Sequence, residues 1–252
     1  MLKNLYYLTT FPEIIDFYFS YSIPGKAAKK SIINHSCINL RDYTFGKHRT
    51  TDDSPYGGGA GMIMKIEPFL NALEKNNLTS TTIILLSPKG ILLTQDLIQE
   101  MVNHESITFL CGHYGGIDER LSNFANSIIS IGDYIVGGGE ISAIVITDAM
   151  IRLLEGVIGN VNSLKSETFN QKRLSFPQFT KPSEFKNLKV PSILLSGNHK
   201  EIEKWRKKES LKWTLLSRAD LLNKEELLPS DKKCLKEIKD ELDNLINNLL
   251  NE

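Results

Sequence analysis

The chain has 252 residues, of which 41% are hydrophobic and 24% charged, and its 30 basic residues balance its 30 acidic ones. This composition excludes disordered and fibrous proteins and is typical of a globular protein with one large or two modest domains. No apolar run approaches the ~18 residues of a membrane span, and the first residues lack the apolar segment and cleavage site of a signal peptide. We therefore expect a cytoplasmic protein that does not contact a membrane.

The cysteines and histidines give no sign of a structural metal. Cys37, Cys111 and Cys234 are widely spaced and form neither an even disulfide set nor a Cys-x-x-Cys pair, and the five histidines do not cluster. We predict reduced thiols and no metal ligands. A divalent cation bound together with a substrate is compatible with this pattern.

The first 160 residues alternate between β-like and helical patterns. The predicted strands are Leu5–Thr9, Ser31–Leu40, Thr81–Ser87, Ile107–Cys111 and Ser127–Ile131. Between them, Lys65–Asn76 and Thr94–His104 are amphipathic at helical spacing. This alternation predicts an α/β domain around a mainly parallel sheet, in which ligands bind at the carboxyl edge of the strands.

A long polar segment, Asp42–Met62, separates the second predicted strand from the first amphipathic helix. Loops of about twenty residues inside compact domains are usually functional or disordered. Charged residues of both signs beside Gly57-Gly58-Gly59 favour an ordered substrate lid, and a simple linker is the alternative.

Three unusual loops each directly follow a predicted strand: Ser87–Gly90, Gly112–Gly116 and Ile131–Gly139. The last ends in Gly137-Gly138-Gly139 and opens onto an apolar helical run, Glu140–Leu154. Glycines let a ligand touch the main chain. The pattern is neither a dinucleotide fingerprint nor a phosphate loop, so a glycine-rich turn without a ligand is an equal alternative.

The apolar density falls beyond residue 160. We predict a polar connector over residues 161–181 and a helical domain over residues 182–252, with a basic helix at His199–Lys212 and a last helix from about Ser230. The last helix has an apolar stripe that favours core packing over a partner site: Leu235, Ile238, Leu242, Leu245 and Leu249.

Charge is distributed unevenly along the neutral chain. Between Lys165 and Lys212 there are twelve basic and five acidic residues, a net charge of +7. Such a block is expected where a protein contacts a polyanion, and a solvated lysine-rich helix face is an equal alternative.

Seven motifs occur in the order found in one protein family. They are Phe11-Pro12-Glu13, Asn39-Leu40-Arg41-Asp42, the segment Lys47–Gly59, Ser87-Pro88-Lys89-Gly90, Gly116-Ile117-Asp118-Glu119-Arg120, the loop Ile131–Glu140, and Leu194-Leu195-Ser196-Gly197-Asn198-His199. Over about residues 11–222 the chain resembles the bacterial tRNA (guanine-N1)-methyltransferases of the TrmD family, which belong to the SPOUT class.

The resemblance implies a fold, a reaction and partners. The fold would be an α/β methyltransferase domain containing a trefoil knot, followed by a small helical domain that binds tRNA. The reaction would transfer a methyl group from S-adenosylmethionine to N1 of the guanine immediately 3′ of the anticodon, position 37. The protein would be a homodimer whose subunits share each active site.

The resemblance also assigns roles to residues. The predicted S-adenosylmethionine positions are Ser87, Pro88, Gly112, Ile131, Gly132, Asp133, Tyr134, Ile135, Val136, Gly138 and Gly139. Glu167, where the family commonly has an aspartate, would accept the N1 proton, and Arg152 would stabilise the charge on the exocyclic oxygen. The alternative without a catalytic role is that Glu167 is a solvated linker residue and Arg152 an ordinary surface arginine. Lys204, Lys207 and Lys208 are the candidate RNA-binding residues.

Besides Glu167, the chain departs from the family at Glu155, where a proline is usual, and at one loop. Gly112-His113-Tyr114-Gly115-Gly116 stands where the family usually has Gly-Arg-Tyr-Glu-Gly, so a permanent cation becomes a titratable one and an acidic side chain is lost. Two alternatives follow: a catalytically impaired RNA-binding protein on the same scaffold, or a SPOUT RNA methyltransferase with a different target nucleotide.

Overall fold

The computed structural model describes residues 1–158, 168–169, 172–223 and 227–250, and the predicted position of Glu167 lies outside these ranges. The chain divides into two compact units, Met1–Gly159 and Asn160–Glu252.

The first unit is built on a parallel sheet. Its strands are β1 (Asn4–Thr9), β2 (Asn34–Asn39), β3 (Asp52–Asp53), β4 (Ile63–Met64), β5 (Thr82–Leu92), β6 (Ser106–Leu110) and β7 (Ser127–Ser130). Five of them form one sheet in the order β2-β1-β6-β5-β7, and every neighbouring pair in it is parallel. The predicted α/β class with a mainly parallel sheet is confirmed.

Helices connect these strands: α1 (Pro12–Tyr18), α2 (Ser22–Lys29), α3 (Ile66–Lys75), α4 (Gln95–Met101) and α5 (Gly139–Ile151). The sequence pattern predicts α3, α4 and α5 but not α1 or α2. Helix α2 contains Pro24 and Gly25, which disfavour helices. A side chain at residue 25 would approach the carbonyl oxygen of Phe19 to 3.0 Å, so this glycine lets the helix pack closely against the preceding turn.

Alternating strand residues supply two apolar cores, one on each face of the sheet. Tyr7, Ile84 and Phe109 are buried on the face that holds α1, α2, α4 and α5, whereas Leu8 and Leu85 are buried on the face that holds α3. The sheet therefore lies between two helical layers, and its carboxyl edge is left for the connecting loops.

Helix α5 is fixed to the centre of the sheet. Its hydroxyl-bearing Thr147 is buried and lies 2.7 Å from the hydroxyl of Tyr7 on β1. The helix ends at Ile151, three residues before the predicted end, and its C-terminal neighbour is Arg152.

The long polar segment contains a small antiparallel pairing. Asp52 and Asp53 of β3 pair with Met64 and Ile63 of β4, and Tyr56 between them is fully exposed. The two short strands hold the ends of the glycine-rich loop together, and the lid role of this loop stays a prediction.

The second unit combines a hairpin with helices. The hairpin strands are β8 (Glu184–Phe185) and β9 (Leu188–Lys189), and the helices are α6 (Ser192–Leu195), α7 (His199–Ser217) and α8 (Pro229–Leu250). The predicted basic helix and last helix correspond to α7 and α8. Within this unit, the backbone N–H of Leu174 donates to Thr214 Oγ1 of α7 at 3.0 Å. Across the described ranges, none of the helices is long and apolar enough to cross a membrane.

Candidate active site

Three loops meet beside a cavity at the carboxyl edge of the sheet. Strands β6, β5 and β7 are parallel neighbours, so the segments near their carboxyl ends lie next to each other. The cavity measures about 410 Å³, within the roughly 300–1,000 Å³ typical of small-molecule sites. Ten of the eleven predicted cofactor positions line it, and the exception is Asp133, an exposed residue.

The first of the three loops is part of a strand. The sequence pattern predicts a strand that ends at Ser87, but β5 continues to Leu92. The strand has an irregularity between Leu86 and Ile91, both of which oppose Ile129 of β7. Residues Ser87–Gly90 therefore bulge from the strand, and Ser87 and Pro88 reach the cavity wall. A side chain on Gly90 would lie 2.5 Å from the Ile128 carbonyl group, which only glycine avoids.

A main-chain hydrogen bond at Gly139 connects the loop Ile131–Gly139 to the loop Gly112–Gly116. The N–H of Gly139 donates to the carbonyl oxygen of Gly112 at 2.7 Å, and a Cβ on residue 139 would lie 2.7 Å from the Gly112 nitrogen. The close main-chain approach expected at this glycine is thus made by the protein itself. Gly137, by contrast, has open space where a Cβ would lie.

A buried acid beside the cavity was not identified from the sequence. Glu140, in the first turn of α5, is 1% exposed, and Thr9 Oγ1 donates to its Oε1 at 2.5 Å. Its Oε2 lies 3.5 Å from His113 Nδ1. Burial, and then the charge of Glu140, raise the pKa of the Cys111 thiol well above its usual range. The available signal is a charged residue directly after a glycine run, in the first turn of a mainly apolar helix.

The remaining predicted residues lie away from the cavity wall or outside the described ranges. Arg152 is partly buried and directly follows α5. Glu167 is not among the described residues. Among the lysines of α7, Lys204 is exposed, whereas Lys207 Nζ lies 2.6 Å from Asp231 Oδ1 and Lys208 pairs with Glu241, both on α8.

The described residues contain no group of three or more His, Cys, Asp or Glu side chains placed to hold a metal ion. The cavity is lined mainly by backbone and apolar groups, a surface suited to an organic ligand.

Comparison with known proteins identifies the family. The sequence model described as "tRNA (Guanine-1)-methyltransferase TrmD" matches residues 3–224. The chain belongs to the TrmD family. It is similar to proteins named tRNA (guanine-N(1)-)-methyltransferase, with 47% identity to that of Dictyoglomus turgidum over 93% of this chain and 96% of the relative. Identity is 44% for Staphylococcus haemolyticus and 45% for Bacillus cereus, over 94% and 93% of this chain and 98% of each relative.

TrmD proteins are SPOUT-class methyltransferases, so the family resemblance and the predicted fold class are both confirmed. The TrmD match includes all the residues that line the cavity. It ends before α8, which begins at Pro229. The trefoil knot stays a prediction.

Proposed function

We propose that the protein transfers a methyl group from S-adenosylmethionine to N1 of a guanine in tRNA. The observation that carries this proposal is a glycine-walled cavity at the carboxyl edge of a parallel sheet, in a chain that belongs to the TrmD family. The more specific target is the guanine immediately 3′ of the anticodon, position 37. An anticodon loop suits an enzyme of this kind, because a base is most easily unstacked from a single-stranded loop.

The cavity suits the cofactor in size and in the character of its wall. Its volume fits a nucleoside with an attached amino acid, and Gly137, Gly138 and Gly139 bring main-chain groups to the wall. When bound, S-adenosylmethionine supplies an activated methyl group. The protein then has to hold the cofactor, position the guanine and remove the N1 proton.

Glu167 and Arg152 are the proposed catalytic residues. A carboxylate at residue 167 accepts the N1 proton, and the guanidinium of Arg152, which is always charged, stabilises the negative charge that develops on the exocyclic oxygen. Neither role requires a metal ligand from the protein. A divalent cation remains compatible with this chemistry.

The position of Arg152 supports an active site shared between two subunits. Helix α5 has Gly139, at the cavity, as its first residue, and Arg152 follows its last residue. At a rise of about 1.5 Å per residue, the two positions are roughly 20 Å apart. This separation from Gly139 favours a role for Arg152 in the cavity of a partner subunit.

An exposed apolar face supports the homodimer. Helices α1 and α5 are adjacent, and Tyr18 on α1 donates to Asp148 on α5 at 3.0 Å. On these two helices, Phe17 is 63% exposed and Val145 is 41% exposed. Apolar side chains gathered on neighbouring helices are typical of a protein interface. A second copy of this chain would cover this face.

The experiment is incubation with labelled S-adenosylmethionine and a tRNA transcript that has guanine at position 37. We expect label in the RNA, and nuclease mapping to place it at that guanine. A transcript with adenine there is the matched control and should remain unlabelled. Label at another nucleotide would favour a different SPOUT specificity.

Gly115 motivates the second candidate, an RNA-binding protein with impaired catalysis. A side chain there would lie 2.9 Å from the carbonyl oxygen of Met62, so the loop leaves no room for the glutamate that is usual in the family. Cofactor and tRNA binding without any methyl transfer would support this candidate.

A further inference from the structure

The buried acid beside the cavity has a defined hydrogen-bonding arrangement. Thr9 Oγ1 accepts the N–H of Phe11 at 2.9 Å and donates its own proton to Glu140 Oε1 at 2.5 Å. One carboxylate oxygen of Glu140 is therefore satisfied by a neutral donor. The other oxygen, Oε2, faces His113.

His113 and Glu140 form a close pair at the cavity wall. His113 Nδ1 is buried, has no hydrogen-bond partner, and lies 3.5 Å from Glu140 Oε2. A buried carboxylate is stabilised by an opposite charge, and the imidazole ring can supply one by taking up a proton. A Cβ on residue 138 would clash with both members of the pair, so Gly138 makes room for it.

The other groups around His113 do not compete for this proton. The ring of Phe11 packs against the imidazole at 4.7 Å, and the guanidinium of Arg41 lies 5.4 Å from the Phe11 ring. Tyr114 meets the imidazole edge-on at 5.1 Å. Cys111 is buried, and its raised pKa keeps the thiol neutral. Glu140 is the acidic group at ion-pair distance.

We propose that Glu140 holds His113 as an imidazolium, so that the second ring nitrogen, Nε2, donates a hydrogen bond to an anionic oxygen group of a ligand in the cavity. His113 lines the cavity and its side chain is 26% exposed, so the ring is accessible on one side. Glu140 is then a positioning residue and His113 a ligand-binding residue. The inference rests on the proposed function, which supplies two such groups: the carboxylate of S-adenosylmethionine and an RNA phosphate.

Calorimetry with two nucleosides shows whether the anionic group belongs to the cofactor or to the RNA. S-adenosylhomocysteine carries the amino-acid carboxylate and 5′-methylthioadenosine lacks it. His113→Gln should weaken binding of S-adenosylhomocysteine roughly ten-fold to hundred-fold, the effect of losing a charged hydrogen bond, and leave methylthioadenosine nearly unchanged. His113→Arg, which keeps a cation, should retain affinity for both. If S-adenosylhomocysteine is unaffected but tRNA affinity falls by a similar factor, the group is a phosphate.

The same ligands test the role of Glu140. Glu140→Gln keeps the shape but removes the charge beside His113, so it should weaken binding of the ligand that carries the anionic group and leave methylthioadenosine nearly unchanged. A purely structural role would lower affinity for both nucleosides equally.

Failure of the pair and failure of the proposed function give different results. If the wild type binds both nucleosides and tRNA, and the His113→Gln protein binds them equally well, the pair has no ligand role. If the wild type binds neither nucleoside, the proposed cofactor is wrong, and so is the assignment of its carboxylate as the group that His113 binds. If Glu140→Gln does not fold, the binding measurements on the His113 variants still show whether His113 binds the ligand.

Discussion

Gly137 and Gly139 belong to the same glycine run but have different surroundings. Gly139 lies against the main chain of Gly112, whereas Gly137 borders open space. The identity of residue 139 is therefore set by the fold, and a side chain at residue 137 can only meet a ligand or solvent. Substitutions at these two positions, only two residues apart, therefore test ligand binding and folding separately.

We expect Gly139→Ala to destabilise the first unit by about 1–3 kcal/mol, because an added methyl group overpacks a main-chain contact. Gly137→Ala is the matched control and should change the free energy of unfolding by less than about 0.5 kcal/mol. Urea unfolding followed by circular dichroism measures both. Equal stabilities would show that the Gly112 loop moves away without cost.

Asp231 is a fully buried charge in the second unit. Its Oδ2 lies 3.3 Å from Arg173 Nη2 and accepts the N–H of Leu228 at 3.2 Å, and Lys207 contacts its Oδ1. Burial alone would raise the pKa of this carboxyl group, but the hydrogen bond from Lys207 and the charge of Arg173 hold it below its usual value of 3.8. A pKa lowered by folding stabilises the folded state above the unfolded pKa, and this contribution is lost as pH falls through the folded pKa.

Asp231→Asn should therefore cost about 2–4 kcal/mol at pH 7, because two cations lose their partner. The variant should also lose less stability than the wild type when the pH is lowered from about 5 to 2. Denaturant unfolding of the second unit at both pH values provides the measurement. Asp243→Asn, an exposed position on the same helix, is the control. Equal acid sensitivity of the wild type and Asp231→Asn would contradict this account.

At the scale of elements, α7 uses its lysines in two ways. Lys207 and Lys208 pair with acidic residues of α8, whereas Lys204 is exposed. Replacing all three together would mix a loss of RNA contact with a loss of helix packing. The two effects have to be measured one residue at a time.

Lys204→Gln should weaken tRNA binding and lower the slope of log affinity against log salt by about 0.7–0.9, the value for one lost phosphate contact. Lys207→Gln should instead lower the stability of the second unit, because it removes a partner of buried Asp231. Filter binding over a salt series and urea unfolding separate the two. An unchanged slope for Lys204→Gln would assign this residue to a merely solvated face.

Most of the sheet could be predicted because its strands are apolar runs bounded by polar turns. Helices α1 and α2 could not. Helix α2 carries Pro24 and Gly25, and α1 lacks a side-chain N-cap, whereas α4, of the same length as α1, is capped by Thr94. The helical form of α1 and α2 depends on packing against the sheet, which local sequence does not encode. The continuation of β5 past Gly90 was missed for a similar reason, because pairing with β7 overrides a Ser-Pro-Lys-Gly turn signal.

The cavity was easier to predict than its supporting contacts. Loops that follow parallel strands must lie at one edge of the sheet, so ten predicted positions share a wall. The pairing of Glu140 with His113 joins residues 27 positions apart and depends on how α5 packs beneath the loop. Spacing along the chain carries no signal for such a contact.

At the scale of the whole molecule, the separation of Arg152 from the cavity along α5 leads to a subunit-exchange prediction. Glu167→Gln and Arg152→Ala should each lower methyl transfer by roughly 10² or more. If one subunit supplies Arg152 and the other Glu167, mixing the two inactive homodimers should restore activity, because each heterodimer has one site with both residues intact.

Differently tagged subunits, checked by native mass spectrometry, verify that exchange occurs. Mixing each variant with itself is the control and should give no recovery. Full exchange without recovered activity would place both residues in one subunit, and a Glu167→Gln protein that works at the parental rate would end the role of that residue as base.

A glycine in the cavity wall has a consequence for inhibitor resistance. Gly139 lines the cavity, and any side chain there would press on protein backbone, at 2.7 Å for the nitrogen of Gly112 and 2.8 Å for the Cα of Cys111. A mutation that blocks an inhibitor by adding bulk at this position would also damage the fold. Compounds that contact Gly139 should therefore select escape mutants elsewhere in the wall, where side chains can vary.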